Sequence, residues 1–255
     1  MQVILIILKS IFVPIFTFLA WFSRKLAYYT HAGLMKAEWC INHPDYFNHD
    51  CDLYYQWEKF RLSHWLERGV YNSLALQVFQ EPELIELCCA EGFYTKYFYS
   101  KIATDIYACD YCKKAIKSAR RKYSCSNIVY DVADIRYNIP DTINGKFPTN
   151  VIWDAGLAYF SPEEIDTIMN RISHILAPQK GILSGQTICE RVNEIQSENH
   201  KYEFKNMEDL RNFFLPYFKN VLVFETIYDD RTNFYFYASD GDLPFSKDWD
   251  HGLIK

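Results

Sequence analysis

Apolar residues fall along this chain in three successive patterns. The first is a nearly unbroken apolar run from Val3 to Phe22. A helix of about 20 such residues crosses the ~30 Å hydrocarbon core of a bilayer. Lys9 and Pro14 interrupt the run, but Lys9 lies near enough to its amino end to snorkel to the interface, and one proline is tolerated in a membrane helix. Arg24 and Lys25 follow directly, and positive charge on that flank favours the cytoplasmic side for everything after it. A cleaved signal peptide would want a basic segment before the run and a small-x-small site after it, and neither is clear. A helix lying on the membrane, or packed on the rest of the protein, is the third reading.

The second pattern covers Leu26 to about Gln80, where aromatic residues are scattered without strand–helix alternation. His43-Pro44-Asp45 breaks any helix; beyond it the spacing of Leu53, Trp57, Phe60 and His64 is helical, as is Tyr71 to Phe79. This stretch predicts a helical cap. The third pattern is regular alternation. Strands are expected at Leu84–Cys89, Asp105–Cys109, Asn127–Asp131, Asn150–Asp154 and Gly181–Gln186, with helices between them. Ser161-Pro162-Glu163-Glu164 is a helix start, with Ser as N-cap, Pro at the first position and Glu completing a capping box. Asn206-Met207-Glu208-Asp209 opens a further helix, and strands at Val221–Ile227 and Phe234–Ala238 close the alternation. Those last two are joined by a short loop, so they must be antiparallel, because a parallel connection needs a crossover of about a dozen residues. The predicted fold is α/β: a doubly wound, mostly parallel, Rossmann-like sheet with an antiparallel last hairpin and an N-terminal helical cap. The expected division is 1–25 as membrane segment, 26–80 as cap, 81–242 as the α/β domain and 243–255 as tail.

Charge and cysteine usage narrow the function. A net charge of −5 argues against nucleic acid as partner. The cluster Lys113, Lys114, Lys117, Arg120, Arg121 and Lys122 falls on one predicted helix and reads as its solvated face. Eight cysteines without a framework spacing point to reduced thiols. Cys109-Asp110-Tyr111-Cys112 is a lone C-x-x-C with no second pair, so no metal is expected.

The chemistry centres on Leu84-Ile85-Glu86-Leu87-Cys88-Cys89-Ala90-Glu91-Gly92-Phe93-Tyr94-Thr95, an apolar strand, a turn of small residues and a helix start. Ligands of such sheets bind at the carboxyl ends of the strands. The stretch resembles motif I of the class I S-adenosylmethionine-dependent methyltransferases, an acidic residue followed by G-x-G-x-G. Glu86 stands at the acidic position, and Cys88, Ala90 and Gly92 at the turn positions. Cys88 and Ala90 are small enough for close backbone approach but adopt positive φ only at a cost.

The resemblance continues in order to about residue 187. It implies a seven-stranded methyltransferase fold. Asp110, with Tyr111 beside it, matches the motif II carboxylate that holds the cofactor ribose. Asp134 and Ile135 match an adenine-binding acid and its apolar neighbour. Asp154 and Ala155 end the fourth strand, where cofactor and acceptor meet. Ile175-Leu176-Ala177-Pro178-Gln179-Lys180-Gly181 resembles the turn before strand five. Tyr159 stands near a position where many relatives have histidine. The resemblance therefore implies S-adenosyl-L-methionine as cofactor, with Asp154 and Tyr159 as candidates for the catalytic side. Methyl transfer from a sulfonium needs alignment more than acid–base groups, but a hydroxyl acceptor also needs a base. His49, flanked by Asp50, is the candidate from the cap, and Tyr54, Tyr55 and Trp57 are candidate acceptor contacts. His200, after strand five, is left without a role. The acceptor is expected to be a small molecule, a glycan or a lipid-linked intermediate. A catalytically degenerate binding protein on the same fold, and a nicotinamide-dependent oxidoreductase, are the alternatives.

Overall fold

The computed structural model describes residues 2–41, 64–189, 200–228 and 231–245. The chain divides into two compact units, Met1–His64 and Trp65–Lys255. The first contains helix α1 (Gln2–Ile41), 40 residues long, with Pro14 inside it. The helix runs on past Arg24 and Lys25 to Ile41. Its apolar span is Ser10–Thr30, 21 residues with mean hydropathy 1.2 and none of it buried. Phe12, Phe16, Phe18, Trp21 and Phe22 are all exposed.

The second unit begins with the bulk of α2 (His64–Leu76) and then builds one sheet. Its strands are β1 (Glu83–Leu87), β2 (Asp105–Asp110), β3 (Ile128–Val132), β4 (Asn150–Trp153), β5 (Ile182–Ile188), β6 (Asn220–Tyr228) and β7 (Arg231–Ser239). The helices between them are α3 (Phe93–Tyr97), α4 (Lys113–Lys122), α5 (Pro162–Leu176) and α6 (Met207–Phe214). The spatial order is β3-β2-β1-β4-β5-β7-β6. Strands β1 to β5 pair in parallel, while β7 is antiparallel to both β5 and β6. The final hairpin pairs from Asn220↔Ser239 to Tyr228↔Arg231, longer at both ends than its apolar pattern predicts.

This order puts the only reversal of connection direction within the parallel strands between β1 and β4, the place where doubly wound sheets bind ligands. All five residues of β1 and all four of β4 are buried, as expected for strands covered on both faces. One face carries Ile85, Leu87, Val151, Trp153, Leu183, Phe234 and Phe236 against α5 and α6. On the other, Ala75 and Tyr71 of α2 pack on Ile182, Leu222, Phe224, Tyr235 and Tyr237. The capping box at α5 forms as its sequence requires: Glu164 N donates to Ser161 Oγ at 3.3 Å, and Ser161 N donates to Glu164 Oε2 at 2.9 Å.

Candidate active site

The turn after β1 is built from left-handed residues. Cys88 has φ 58°, Ala90 φ 48° and Gly92 φ 81°. The three positions of the expected G-x-G-x-G thus keep glycine-like backbone geometry although two carry side chains. A left-handed conformation costs a non-glycine residue about 1–2 kcal/mol, so neighbours must hold it. Cys89 N donates to Cys109 O (2.9 Å), Ala90 N to Asp110 Oδ2 (3.0 Å) and Gly92 N to Cys89 O (3.0 Å). Gly92 also has a steric reason: a Cβ there would lie 2.6 Å from the Tyr130 hydroxyl oxygen and 2.8 Å from its ring. The space beside Gly92 is therefore filled by a β3 side chain. Gly156 plays a similar part under the turn, since its Cβ would fall 2.3 Å from Trp153 Nε1 and 3.1 Å from Cys88 Sγ. Burial pushes both the Cys88 and Cys89 thiols well up, so they stay protonated.

Asp110 ends β2 and ties two loops together. Its Oδ2 accepts from Ala90 N and its Oδ1 from Cys112 N at 2.8 Å. The N-cap of α4 is not Asp110 but Cys112, whose sulfur accepts from Ala115 N. A carboxylate has about four acceptor positions, so two remain on Asp110 for vicinal hydroxyls. Burial raises its pKa, and the two backbone N–H groups work against that. Tyr111 beside it is exposed. These features fit a nucleoside cofactor: a carboxylate with free acceptor capacity faces a turn whose backbone is held open by left-handed residues.

The remaining expected residues are distributed unevenly. Glu86 lies inside β1, 3% exposed, with Thr95 Oγ1 donating to its Oε2 at 2.6 Å. Burial pushes its pKa up to about 8, with Asp154 and Asp110 adding to the effect. It therefore acts from beneath the turn as a protonated carboxyl at neutral pH. Asp134 is forked with Arg136, whose Nη2 is 2.6 Å from Oδ2, and this pairing lowers its pKa. Ile135 is buried in the core with Ile139 and Leu157. Ala155 follows β4 with φ 53° and donates its N–H to Gln186 O at 2.7 Å. His49, Tyr54, Tyr55 and Trp57 lie outside the described residues.

Asp154 is buried against Arg68 of α2. Arg68 Nε and Nη2 both donate to Asp154 Oδ2, at 2.9 and 2.6 Å. Oδ1 is buried and accepts no hydrogen bond among the described residues. Burial works against the Arg68 charge, but Asp154 beside it more than offsets that and the guanidinium titrates above its usual range. Arg68 also lies 5.1 Å from the Tyr94 ring centroid. Arg68 is absent from the expected residues, although its position carried a signal: on α2 it shares a stripe with Asn72, Ala75 and Leu76, all buried.

Tyr159 closes the 3-10 turn Leu157–Tyr159 after β4 and is half-exposed. Burial raises its pKa, while Arg68 acts to lower it and Cys88 to raise it. The segment after β5 comes back to this turn: Lys201 N and Tyr202 N both donate to Ala158 O. His200 thereby meets Tyr159 edge-on, with ring centroids 5.2 Å apart, and its Nδ1 is bonded to Glu203 Oε1. Among the described residues no group of three or more His, Cys, Asp or Glu side chains is placed to hold a metal ion.

Residues 84–179 match the family model described as a methyltransferase domain. The N-methyltransferase NodS from Bradyrhizobium japonicum WM9, solved with S-adenosyl-L-homocysteine, is 16% identical with a TM-score of 0.53, covering 69% of this chain and 87% of NodS. An S-adenosylmethionine-dependent methyltransferase from Leishmania major gives 13% and 0.55, with 69% and 73% covered. Human N-acetylserotonin methyltransferase, solved with S-adenosylmethionine, gives 11% and 0.52, with 70% and 53% covered. No curated protein matches the sequence. At these identities the structural likeness is one of fold. The matched region and the sheet order are those of the class I methyltransferase fold. Domains of this class use S-adenosylmethionine as methyl donor. The antiparallel β7 between β5 and β6 and the matched domain leave the nicotinamide-dependent alternative without support.

Proposed function

We propose that the protein is a membrane-anchored, cytoplasm-facing methyltransferase that passes the methyl group of S-adenosylmethionine to a small-molecule, glycan or lipid-linked acceptor. The observation that carries the donor half of this reading is Asp110, whose carboxylate bonds Ala90 N in the left-handed turn and still has two acceptor positions. Asp110 takes the two ribose hydroxyls, and Cys88, Ala90 and Gly92 form the turn the donor approaches. Tyr111, Asp134 and Ile135 are assigned to the adenosine end, and Asp154, Ala155 and Tyr159 to the side where the methyl group is transferred. When bound, the donor supplies an electrophilic methyl carbon on a sulfonium. The chain's part is to orient both reactants and exclude water.

The anchor half rests on Ser10–Thr30, long and apolar enough to cross a membrane with none of its surface buried, and on Arg24 and Lys25 near its carboxyl end, directly after the run Val3–Phe22, where positive charge favours the cytoplasmic side. An anchored enzyme meets acceptors at the bilayer surface, which favours a lipid-linked or membrane-proximal substrate. Two measurements test the reading. Calorimetry should show S-adenosylhomocysteine binding to the full-length protein in detergent, weakened roughly 10- to 100-fold or more by Asp110→Ala, because each charge-assisted bond lost is worth about 1.5–3 kcal/mol. Undiminished binding in that variant rules out the assignment of Asp110. Fractionation of cells should place the protein with membranes, and solubility without detergent would rule out the anchor.

A further inference from the structure

The segment after β5 brings a histidine to the methyl-transfer side. His200 packs edge-on against Tyr159, 5.2 Å between centroids, and Lys201 N holds the segment to Ala158 O at 2.7 Å. Tyr159 stands on the turn that follows Asp154 and Ala155, and Gly156 at the start of that turn lies close to Cys88 of the donor turn: a Cβ on it would fall 3.1 Å from Cys88 Sγ. The His200 ring therefore packs on the turn that links the end of β4 to the neighbourhood of the donor turn. Its Nδ1 is engaged by Glu203, and the two side chains are only 11% and 8% exposed. A carboxylate can only accept, so Nδ1 carries the hydrogen and Nε2 is left as the nitrogen that takes up a proton.

We infer that His200, oriented by Glu203, is the general base of the reaction and that the acceptor atom is a hydroxyl oxygen. This rests on the methyl-transfer reading above. A hydroxyl is too weak a nucleophile to displace a methyl group unless its proton is removed as it attacks. The proton passes to His200 Nε2 as the oxygen–carbon bond forms. The electron pair of the broken carbon–sulfur bond stays on the donor sulfur, and the proton is then lost to water. The imidazolium formed is stabilised by the Glu203 carboxylate on Nδ1. The charged and titratable groups around His200 are Glu203 on its own segment, Lys201, which is paired with Glu164 of α5, and Tyr159 on the turn after β4.

The test uses the full-length protein in detergent with methyl-labelled S-adenosylmethionine. The probes are catechol and myo-inositol as hydroxyls and benzylamine as the amine. Label is expected in a hydroxyl probe. His200→Gln is expected to lower kcat about 10²- to 10⁴-fold, the usual share of a general base, and to remove the acidic limb of the pH–rate profile. Its S-adenosylhomocysteine affinity should stay within about twofold, because the base acts on the acceptor and not on the donor's ribose. Nitrogen NMR of the wild type should show His200 as the Nδ1–H tautomer, lost in Glu203→Gln and restored in Glu203→Asp. Label confined to benzylamine, label in neither hydroxyl probe, an unchanged kcat in His200→Gln, or an Nε2–H tautomer in the wild type each overturns the inference. Failure of the wild type to bind S-adenosylhomocysteine instead overturns the methyl-transfer reading beneath it.

Discussion

The pair Arg68–Asp154 joins α2 to the end of β4, and its removal makes a quantitative test of how that site is built. Both residues are nearly inaccessible, 7% and 8% exposed, and Arg68 places two N–H groups on one carboxylate oxygen. Arg68→Met keeps most of the apolar stem but leaves the Asp154 carboxylate buried without its countercharge. Breaking one partner of a buried pair costs about 3–5 kcal/mol, against about 0–1 kcal/mol for an exposed one. In a unit of this size 1 kcal/mol shifts Tm by roughly 2–4 °C, so the variant should melt roughly 6–20 °C lower. Arg68→Met with Asp154→Leu removes both charges and should recover most of that loss, because replacing a buried pair by apolar groups is often close to neutral. Urea unfolding read from tryptophan fluorescence measures this, since Trp153 is fully buried beside Asp154. A loss below about 1 kcal/mol in the single variant, or strict additivity in the double one, would refute the reasoning. It would mean that water reaches Asp154 and that the carboxylate is not held by α2.

Two further outcomes follow from the turn. Glu86 has a folded-state pKa near 8 against an ordinary 4.5, so the folded state keeps its proton while the unfolded chain loses it. Its contribution is complete below about pH 4.5 and is lost as pH rises through about 8. Glu86→Gln keeps an acceptor for the Thr95 hydroxyl and should flatten this slope: urea midpoints at pH 6 and pH 9 should differ less in the variant, and an unaltered slope would show that Glu86 is ionised in the fold. Gly92→Ala should destabilise by more than the 1 kcal/mol or so that positive φ alone costs, because its Cβ would meet Tyr130 at 2.6–2.8 Å. Tyr130→Ala, which clears that space, should recover part of the added cost in a double-mutant cycle, and independence of the two sites would count against the contact.

The order of strands was legible because each one depends on a local pattern. Buried strands covered on both faces read as continuous apolar runs, and β1 and β4 are buried throughout. The α5 start was legible because a capping box is a four-residue chemistry, complete within Ser161 to Glu164. The antiparallel end was legible from loop length alone. The length of α1 was not, because Arg24 and Lys25 mark the end of an apolar run and not the end of a helix; α1 needs only a continuous backbone ladder and continues through Ala27 and Tyr28 to Ile41.

Around the candidate site, a residue's place was legible only where its own strand or helix fixes it. Asp110 stands at the end of β2 because a strand end fixes it there, and its loop-bridging bonds follow from that placement. Arg68 meets a partner 86 residues away: the buried stripe it shares on α2 marks it as facing inward, but no local pattern names Asp154. The turn after β1 shows the same limit in reverse. Read by composition, two missing glycines weaken it; built in three dimensions, Cys88 and Ala90 reach φ 58° and 48°. What holds them is not in the turn. Asp110 takes the Ala90 N–H, Cys109 takes the Cys89 N–H, and the bare Gly156 lets the Trp153 indole lie beside Cys88. The glycine that the turn lacks at its first position has its structural counterpart at the end of β4, where a side chain would close the gap. A substitution at one of these positions therefore acts on the other, and the cost of left-handed backbone in motif I is carried by residues of β2 and β4.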